Sequence, residues 1–167
     1  MNINSAQDLL MLELREIYSA EKQLSRALPR LTKSVHTDKV KECLQERVEQ
    51  SRRLLEDVDQ VFEELNLSKG RQKNLAMEGL IEDAQQLAES IKSTEVMDTA
   101  LIAAVQKLEH YCIAAWGTAA ALSRSLGHDS AEKVFQKALQ EGKNFDKMMT
   151  DLAVNEVNPT MVEKTAH

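Results

Sequence analysis

Three glutamates lie on the apolar stripes of three separate predicted helices, where a charged side chain is costly to bury. Glu21 stands between apolar residues one turn away on either side, and Glu109 and Glu141 have similar apolar surroundings. An ionised carboxylate buried without a partner costs several kcal/mol, roughly, so it requires a cation beside it. Two divalent cations bridged by glutamates would supply that charge and use the carboxylate oxygens as ligands. The spacing therefore predicts a metal site in a helical core.

A fourth ligand is expected from the second helix, so that each long helix contributes one glutamate. Glu49 is the best candidate, although it lies on the flank of its apolar stripe. Asp146, in the last helix, is a candidate for an additional ligand or for a residue that supports the ligands. A single glutamate at the edge of a stripe commonly reaches solvent or pairs with a lysine, and that alternative stays open for each of these residues.

The elements that must position these acids are helices, because the chain has only five glycines and two prolines among 167 residues. Antiparallel β folds need turn residues about every 8–12 positions, and this chain has too few. Apolar residues recur at three- and four-residue spacing, which is typical of packed helices. The first predicted helix begins after a Ser5 cap, the second runs over 38–65 after a Thr37 cap, and the short third runs over 75–90. The fourth begins at Ser93–Thr94 and stops at Gly127, and the fifth begins at an Asp129–Glu132 capping box.

The order of the helices, long, long, short, long, long, indicates two helical hairpins joined by an extended segment that contains the short helix. One long crossover is typical of the ferritin-like version of the four-helix bundle. We therefore predict an all-α, ferritin-like four-helix bundle over residues 1–158, with a long crossover containing a short fifth helix. Pro29 is expected to kink or end the first helix, and a flexible tail is expected over 159–167, from Pro159 onwards.

Charge and apolar patterning exclude several classes of protein. The net charge is −6 and the basic residues are scattered, so there is no basic face of the kind that nucleic-acid binding requires. The N-terminal residues lack the features of a signal peptide, and no apolar run reaches the ~18 residues of a membrane span. Cys43 and Cys112 are too few for a disulfide framework. These features favour a cytoplasmic protein without nucleic-acid or membrane partners.

Several segments resemble the YciE/YciF family of ferritin-like stress proteins, and the YciF branch more than the YciE branch. The resemblance covers most of the chain, from about Ser5 to Asn158, and is carried by YSAEKQL at 18–24, AMEGLIE at 76–82, ALIAA at 100–104, EHY at 109–111 and TDLA at 150–153. It implies a ferritin-like bundle, a homodimer and a candidate dimetal centre. It implies no defined reaction.

Three positions depart from the pattern that the resemblance implies. Arg52 stands three residues after Glu49, where relatives resemble Glu-x-x-His, and Cys112 and Gly142 stand where relatives resemble acids. The guanidinium of Arg52 could pair with Glu49 or Glu109 and replace the positive charge of a metal.

These residues are compatible with two functions. One is a metal-binding stress protein in which Glu21, Glu49, Glu109 and Glu141 hold iron, manganese or another divalent cation, with O₂ or peroxide chemistry if the centre is active. The alternative is a non-enzymatic helical protein that acts as a dimer or through a protein partner, with a vestigial metal site and Arg52 neutralising the buried acids. A third reading, a DNA-protecting mini-ferritin, is opposed by the acidic net charge.

Overall fold

The computed structural model describes residues 3–166, and Met1, Asn2 and His167, which belong to the predicted domain and tail, lie outside the described residues. Within that range the chain is helical and contains no strand. The helices are α1 Ala6–Thr32, α2 Asp38–Glu64, α3 Leu75–Ser90, α4 Thr94–Ser125, α5 Asp129–Leu152, a π-helical turn Ala153–Val157, and α6 Asn158–Thr165.

The four long helices form a bundle from two hairpins. Helix α1 packs on α2 and α4 packs on α5, while α1 also contacts α4 and α2 contacts α5. Helix α3 packs on the outside of the four-helix bundle, against α1 and α4. The predicted ferritin-like bundle, with its crossover and short fifth helix, is confirmed. No helix in residues 3–166 combines the length and the apolar character needed to cross a bilayer.

Polar side chains fix the crossover and the first hairpin to the bundle. Asn74 is buried, and its amide nitrogen donates to the hydroxyl of Tyr111 at 2.6 Å while its oxygen accepts from the backbone N–H of Met77 at 2.8 Å. Asp98 is also buried, and its two oxygens accept from the backbone N–H groups of His36 and Thr37, both at 2.7 Å. These contacts set the starts of α3 and α2 against the core.

The structure confirms the predicted helix ends at Ser5, Thr37, Ser93 and Gly127, and it shifts the start that was predicted at Asp129. The Ser5 hydroxyl accepts from the backbone N–H of Asp8 at 3.1 Å, and Gly127 follows α4 with a φ of 73°. The capping box predicted from Asp129 and Glu132 is wrong by one residue. His128 is the N-cap without a side-chain cap bond, and Glu132 instead forms an ion pair with Arg124 at 2.6 Å.

Pro29 does not end the first helix, which runs to Thr32. A proline in a helix removes the bond from its own nitrogen to the carbonyl four residues earlier, here that of Ser25. Because Pro29 lies in the last turn, only this one bond is lost, and the helix closes normally with the backbone N–H of Lys33 donating to the carbonyl of Arg30.

The segment expected to form a frayed tail is helical up to Thr165. The π-helical turn Ala153–Val157 continues α5, and Pro159 lies in the first turn of α6, where a missing backbone N–H has no cost. The segment packs on α4, with Val157 buried and the hydroxyl of Thr99 donating to Asn158 at 3.0 Å. The boundary predicted at residue 158 is therefore not a break in the helical structure.

Candidate functional site

A buried arginine joins two of the predicted glutamates in the centre of the bundle. Arg47 of α2 donates from Nε to Oε2 of Glu109 on α4 at 2.6 Å. Its Nη1 and Nη2 lie 3.3 Å from the two carboxylate oxygens of Glu21 on α1. All three side chains are at most 2% exposed. The guanidinium thus links three helices through charge-assisted hydrogen bonds.

Ser51 completes the bonding of this charge cluster, defined as Glu21, Arg47, Ser51 and Glu109. It lies one turn after Arg47 on α2 and is fully buried. Its hydroxyl oxygen accepts from Nη1 of Arg47 at 2.6 Å, and the hydroxyl donates to Oε2 of Glu21 at 2.7 Å. One buried oxygen remains without a partner, Oε1 of Glu109.

Trp116 and Gly142 form the wall of the charge cluster. The centroid of the Trp116 ring lies 5.2 Å from Cζ of Arg47, which is within the range of a cation–π interaction. A Cβ atom at Gly142 would lie 2.4 Å from Cζ3 of Trp116 and 2.7 Å from Oε1 of Glu109. Glycine therefore allows α5 to approach the tryptophan and the glutamate of α4.

Burial and charge act in opposite directions on the ionisable groups of the cluster. Burial raises the pKa of Glu109, although Arg47 partly offsets that rise. Burial opposes the charge of Arg47, but Glu109 and Glu21 outweigh it and hold the pKa well above the usual value. Burial, together with the negative charge of Glu21, raises the pKa of Cys112 well above its usual range, so its thiol stays protonated and unreactive.

The raised pKa of Glu109 predicts an unusual pH dependence of stability. Because the folded carboxyl holds its proton to higher pH than the unfolded one, its contribution to the free energy of unfolding falls as pH rises above about 4.3. A Glu109→Gln variant has no ionisable group at this position, so it is expected to lack this decrease in the free energy of unfolding. We expect the free energy of unfolding of the variant minus that of the wild type, measured by urea titration, to increase as the pH rises between 4 and 7. A difference that is flat or decreases over this range contradicts the raised pKa.

Glu49 is not brought to the centre of the bundle. Its side chain is 55% exposed and forms an ion pair with Arg52, which is 60% exposed. The role of internal cation that was predicted for Arg52 belongs to Arg47 instead. The inward face of α2 passes through Leu44, Arg47 and Ser51, so Glu49 and Arg52 fall on the outer side of the helix.

Glu141 and Asp146 lie on α5, and no hydrogen bond or ion pair found in residues 3–166 joins either of them to the charge cluster. Asp146 accepts from Nε2 of Gln106 at 2.9 Å and lies 3.1 Å from Nε2 of His110. Glu141 is partly exposed in the groove between α2 and α5. Of the five predicted metal ligands, the structure brings only Glu21 and Glu109 together.

The donor set around the charge cluster does not fit the dimetal centre that the ferritin-like resemblance implies. In the part of the chain that the structure describes, no group of three or more histidine, cysteine, aspartate or glutamate side chains is arranged to hold a metal ion. Both central glutamates already bind the guanidinium of Arg47. The positive charge between the two glutamates is therefore that of a side chain, the guanidinium of Arg47, and not that of a metal ion.

Sequence reasoning missed Arg47, Ser51 and Gln50, which are all buried on α2. A signal for Arg47 was present, since it lies three residues after Leu44 and seven before Leu54. The predicted stripe ran through Val48, which is indeed buried, but the buried face of α2 is wider than that stripe and also includes Arg47, Gln50 and Ser51. The stripe was drawn through apolar residues alone, so these polar residues were left out of it.

The chain is similar to proteins whose structures have been solved. It is 45% identical over 159 residues to the YciF protein of Escherichia coli K12, covering 95% of this chain and 96% of that protein. The crystal structure of the E. coli stress protein YciF matches with a TM-score of 0.89 at 44% identity, covering 93% of this chain and 99% of the other. YcfI from Rhodopseudomonas palustris matches with a TM-score of 0.87 at 33% identity, covering 92% and 98%.

A more distant structure, the protein XCC3681 from Xanthomonas campestris pv. campestris, has a TM-score of 0.77 at 16% identity, covering 98% of this chain and all of the other. This likeness shows the fold alone. The model of the family described as "Domain of unknown function (DUF892)" matches residues 5–161, almost the whole of the described range. Both the family match and the similarity to YciF lead to one conclusion: the chain belongs to the DUF892 family.

Proposed function

We propose that this protein is a non-enzymatic, stress-associated helical bundle in which Arg47 takes the place of a dimetal centre. The observation that carries the proposal is the short bond, 2.6 Å, from Nε of Arg47 to Glu109, together with the contacts of the same guanidinium to Glu21. The association with stress is supported by the similarity to the E. coli stress protein YciF.

An internal cation changes what the bundle core can do. A metal centre can bind and reduce small molecules at open coordination positions, whereas a guanidinium has no such positions and no redox chemistry. The thiol of Cys112, which lies beside the charge cluster, is buried and stays protonated. The buried charges therefore serve to fix the register of α1, α2 and α4, a use of buried polar groups known from other helical assemblies.

A protein of this kind acts through its surface. We propose that it works in the cytoplasm as a homodimer or with a protein partner, and the family resemblance supports the dimer. A surface role is consistent with a core whose charges are already paired.

The metal-binding function stays a second candidate because one observation favours it. Oε1 of Glu109 is buried and has no hydrogen-bond partner. A divalent cation such as iron or manganese would take this oxygen and one from Glu21, provided that Arg47 moved away. Glu49, Glu141 and Asp146 would reach such a cation only after the helices that carry them had rotated or shifted.

Thermal melting with and without metal separates the two candidates. A ligand that binds only the folded state stabilises it by an amount that grows with the logarithm of the ligand concentration above Kd, about 2.7 kcal/mol at a hundredfold excess over Kd, and so raises the melting temperature. We expect millimolar Mn(II) or anaerobic Fe(II) to leave the melting temperature of the metal-free protein unchanged. A melting temperature that rises with metal concentration in the wild type, but not in a Glu21→Gln, Glu109→Gln double variant, contradicts the proposal.

A further inference from the structure

A pocket opens between α2 and α5, next to the charge cluster. Its volume is about 290 Å³, close to the lower end of the roughly 300–1,000 Å³ found for small-molecule sites. Arg47, which is almost fully buried, lies at its inner end. The pocket is also lined by Glu46, Gln50, Arg53 and Glu141.

Gln50 lines this pocket and carries a hydrogen-bond donor that has no partner in the protein. The side chain is only 6% exposed, and its Nε2 atom has no hydrogen-bond partner. Leaving a buried amide unpaired is destabilising, and buried polar groups in native proteins nearly always have partners. Gln50 also lines the shallow continuation of the pocket along α2 and α5. An incoming acceptor oxygen would satisfy this donor.

Other side chains of the pocket favour a positively charged group rather than an acceptor oxygen. Glu46 and Arg53 of α2 and Glu141 of α5 all line the pocket. Among the ion pairs of residues 3–166, none involves any of these three side chains within 4.0 Å. Two guanidiniums line the pocket, but Arg47 is already paired with Glu21 and Glu109. The two carboxylates therefore outnumber the remaining guanidinium, that of Arg53, and favour an ammonium group over a simple anion.

The unpaired donor of Gln50 and the carboxylates of Glu46 and Glu141 together define the chemistry of the ligand. A simple anion would satisfy Gln50 but would face two carboxylates, and a simple cation would leave Gln50 unpaired. We propose that the α2–α5 pocket binds a small zwitterion of the amino-acid class. Its carboxylate accepts from Nε2 of Gln50, and its ammonium group lies between Glu46 and Glu141. The limited volume excludes large ligands.

The proposal is tested by NMR titration of the full-length protein with glycine, β-alanine and 4-aminobutyrate, which vary the distance between the two charges. Acetate and methylammonium, which each carry one charge, are the comparison probes. We expect at least one zwitterion to shift the amide signals around Gln50 and Glu141, and to bind about tenfold more tightly than either single-charge probe. Equal binding of acetate, or no shift with any zwitterion at 100 mM, roughly the weak limit of such titrations, overturns the proposal.

Three variants provide the controls. Gln50→Leu and Glu141→Gln are each expected to weaken zwitterion binding about tenfold, because each removes one end of the site. Glu49→Gln, on the outer side of α2, is expected to leave zwitterion binding unchanged.

In the absence of ligand, Gln50→Leu is expected to raise the melting temperature, because it replaces an unpaired buried donor with an apolar side chain. A lower melting temperature would show that the amide is already satisfied, and would overturn the proposal even if the binding data were ambiguous.

Discussion

Replacing Arg47 with alanine is expected to lower the free energy of unfolding by about 3–5 kcal/mol, the largest effect of any single substitution considered for this chain. The variant leaves Glu21 and Glu109 facing each other in the core with no cation between them, and it removes the packing of the guanidinium on Trp116. The measurement is urea unfolding followed by circular dichroism at pH 7. At lower pH the loss is expected to shrink, because the two carboxyls can then be protonated.

Arg52 is the matched control for this prediction. It lies five residues further along α2 and also forms an ion pair, but its side chain is 60% exposed. Exposed ion pairs contribute about 0–1 kcal/mol, so Arg52→Ala is expected to change stability by no more than that. A second control is the triple variant Arg47→Leu, Glu21→Gln, Glu109→Gln, which removes the charges together and is expected to recover most of the lost stability. Equal losses in Arg47→Ala and Arg52→Ala would contradict the central position of Arg47.

Replacing Gly142 with alanine is expected to lower the free energy of unfolding by about 1–3 kcal/mol, the cost of overpacking a dense core. The new methyl group would lie 2.4 Å from the ring of Trp116 and 2.7 Å from Oε1 of Glu109, so α5 or the tryptophan must move. Trp116 is the only tryptophan of the chain, and its fluorescence reports such a movement directly.

Gly79 provides a control of the same chemistry. It lies inside α3, and a Cβ atom there meets no other atom within 4 Å. Alanine is favoured over glycine in a helix by about 0.5–1 kcal/mol, so Gly79→Ala is expected to stabilise the protein. The two glycine substitutions should therefore have opposite signs in the same assay. A stabilising Gly142→Ala would show that α5 does not pack closely on Trp116.

The helices could be predicted from the sequence because their signals are local. The Ser5 cap and the stop at Gly127 each depend on a few neighbouring residues, and the structure confirms both. The scarcity of glycine and proline correctly indicated an all-helical fold. The helices after Leu152 were not predicted, because the polar composition of this segment resembles a frayed end and the packing of Val157 on the bundle is not visible in the local sequence.

The site was harder to predict because it depends on helix rotation and on contacts between distant segments. Glu21 and Glu109 were found because apolar residues lie one helical turn away on both sides of each. Arg47 was missed because the stripe of α2 was drawn through apolar residues alone, and the charged residue next to Val48 was not counted toward the buried face. The partner of an internal charge lies on another helix, so the sequence of α2 alone cannot reveal it.

Gly142 shows the same limit. The sequence suggested a missing acidic ligand at this position, by comparison with the family pattern. The structure shows in addition what the glycine allows, which is close approach of α5 to Trp116 and Glu109. A steric requirement of this kind becomes visible only when the facing residues of α4 are known.

The central claim is that Arg47 supplies the positive charge between Glu21 and Glu109 in place of a metal. The most direct test is an anomalous difference map from crystals soaked in Mn(II) or in anaerobic Fe(II). The account predicts clear density for the guanidinium between the two carboxylates and no anomalous peak beside either of them. An anomalous peak within coordination distance of both Glu21 and Glu109, with Arg47 displaced, would contradict it.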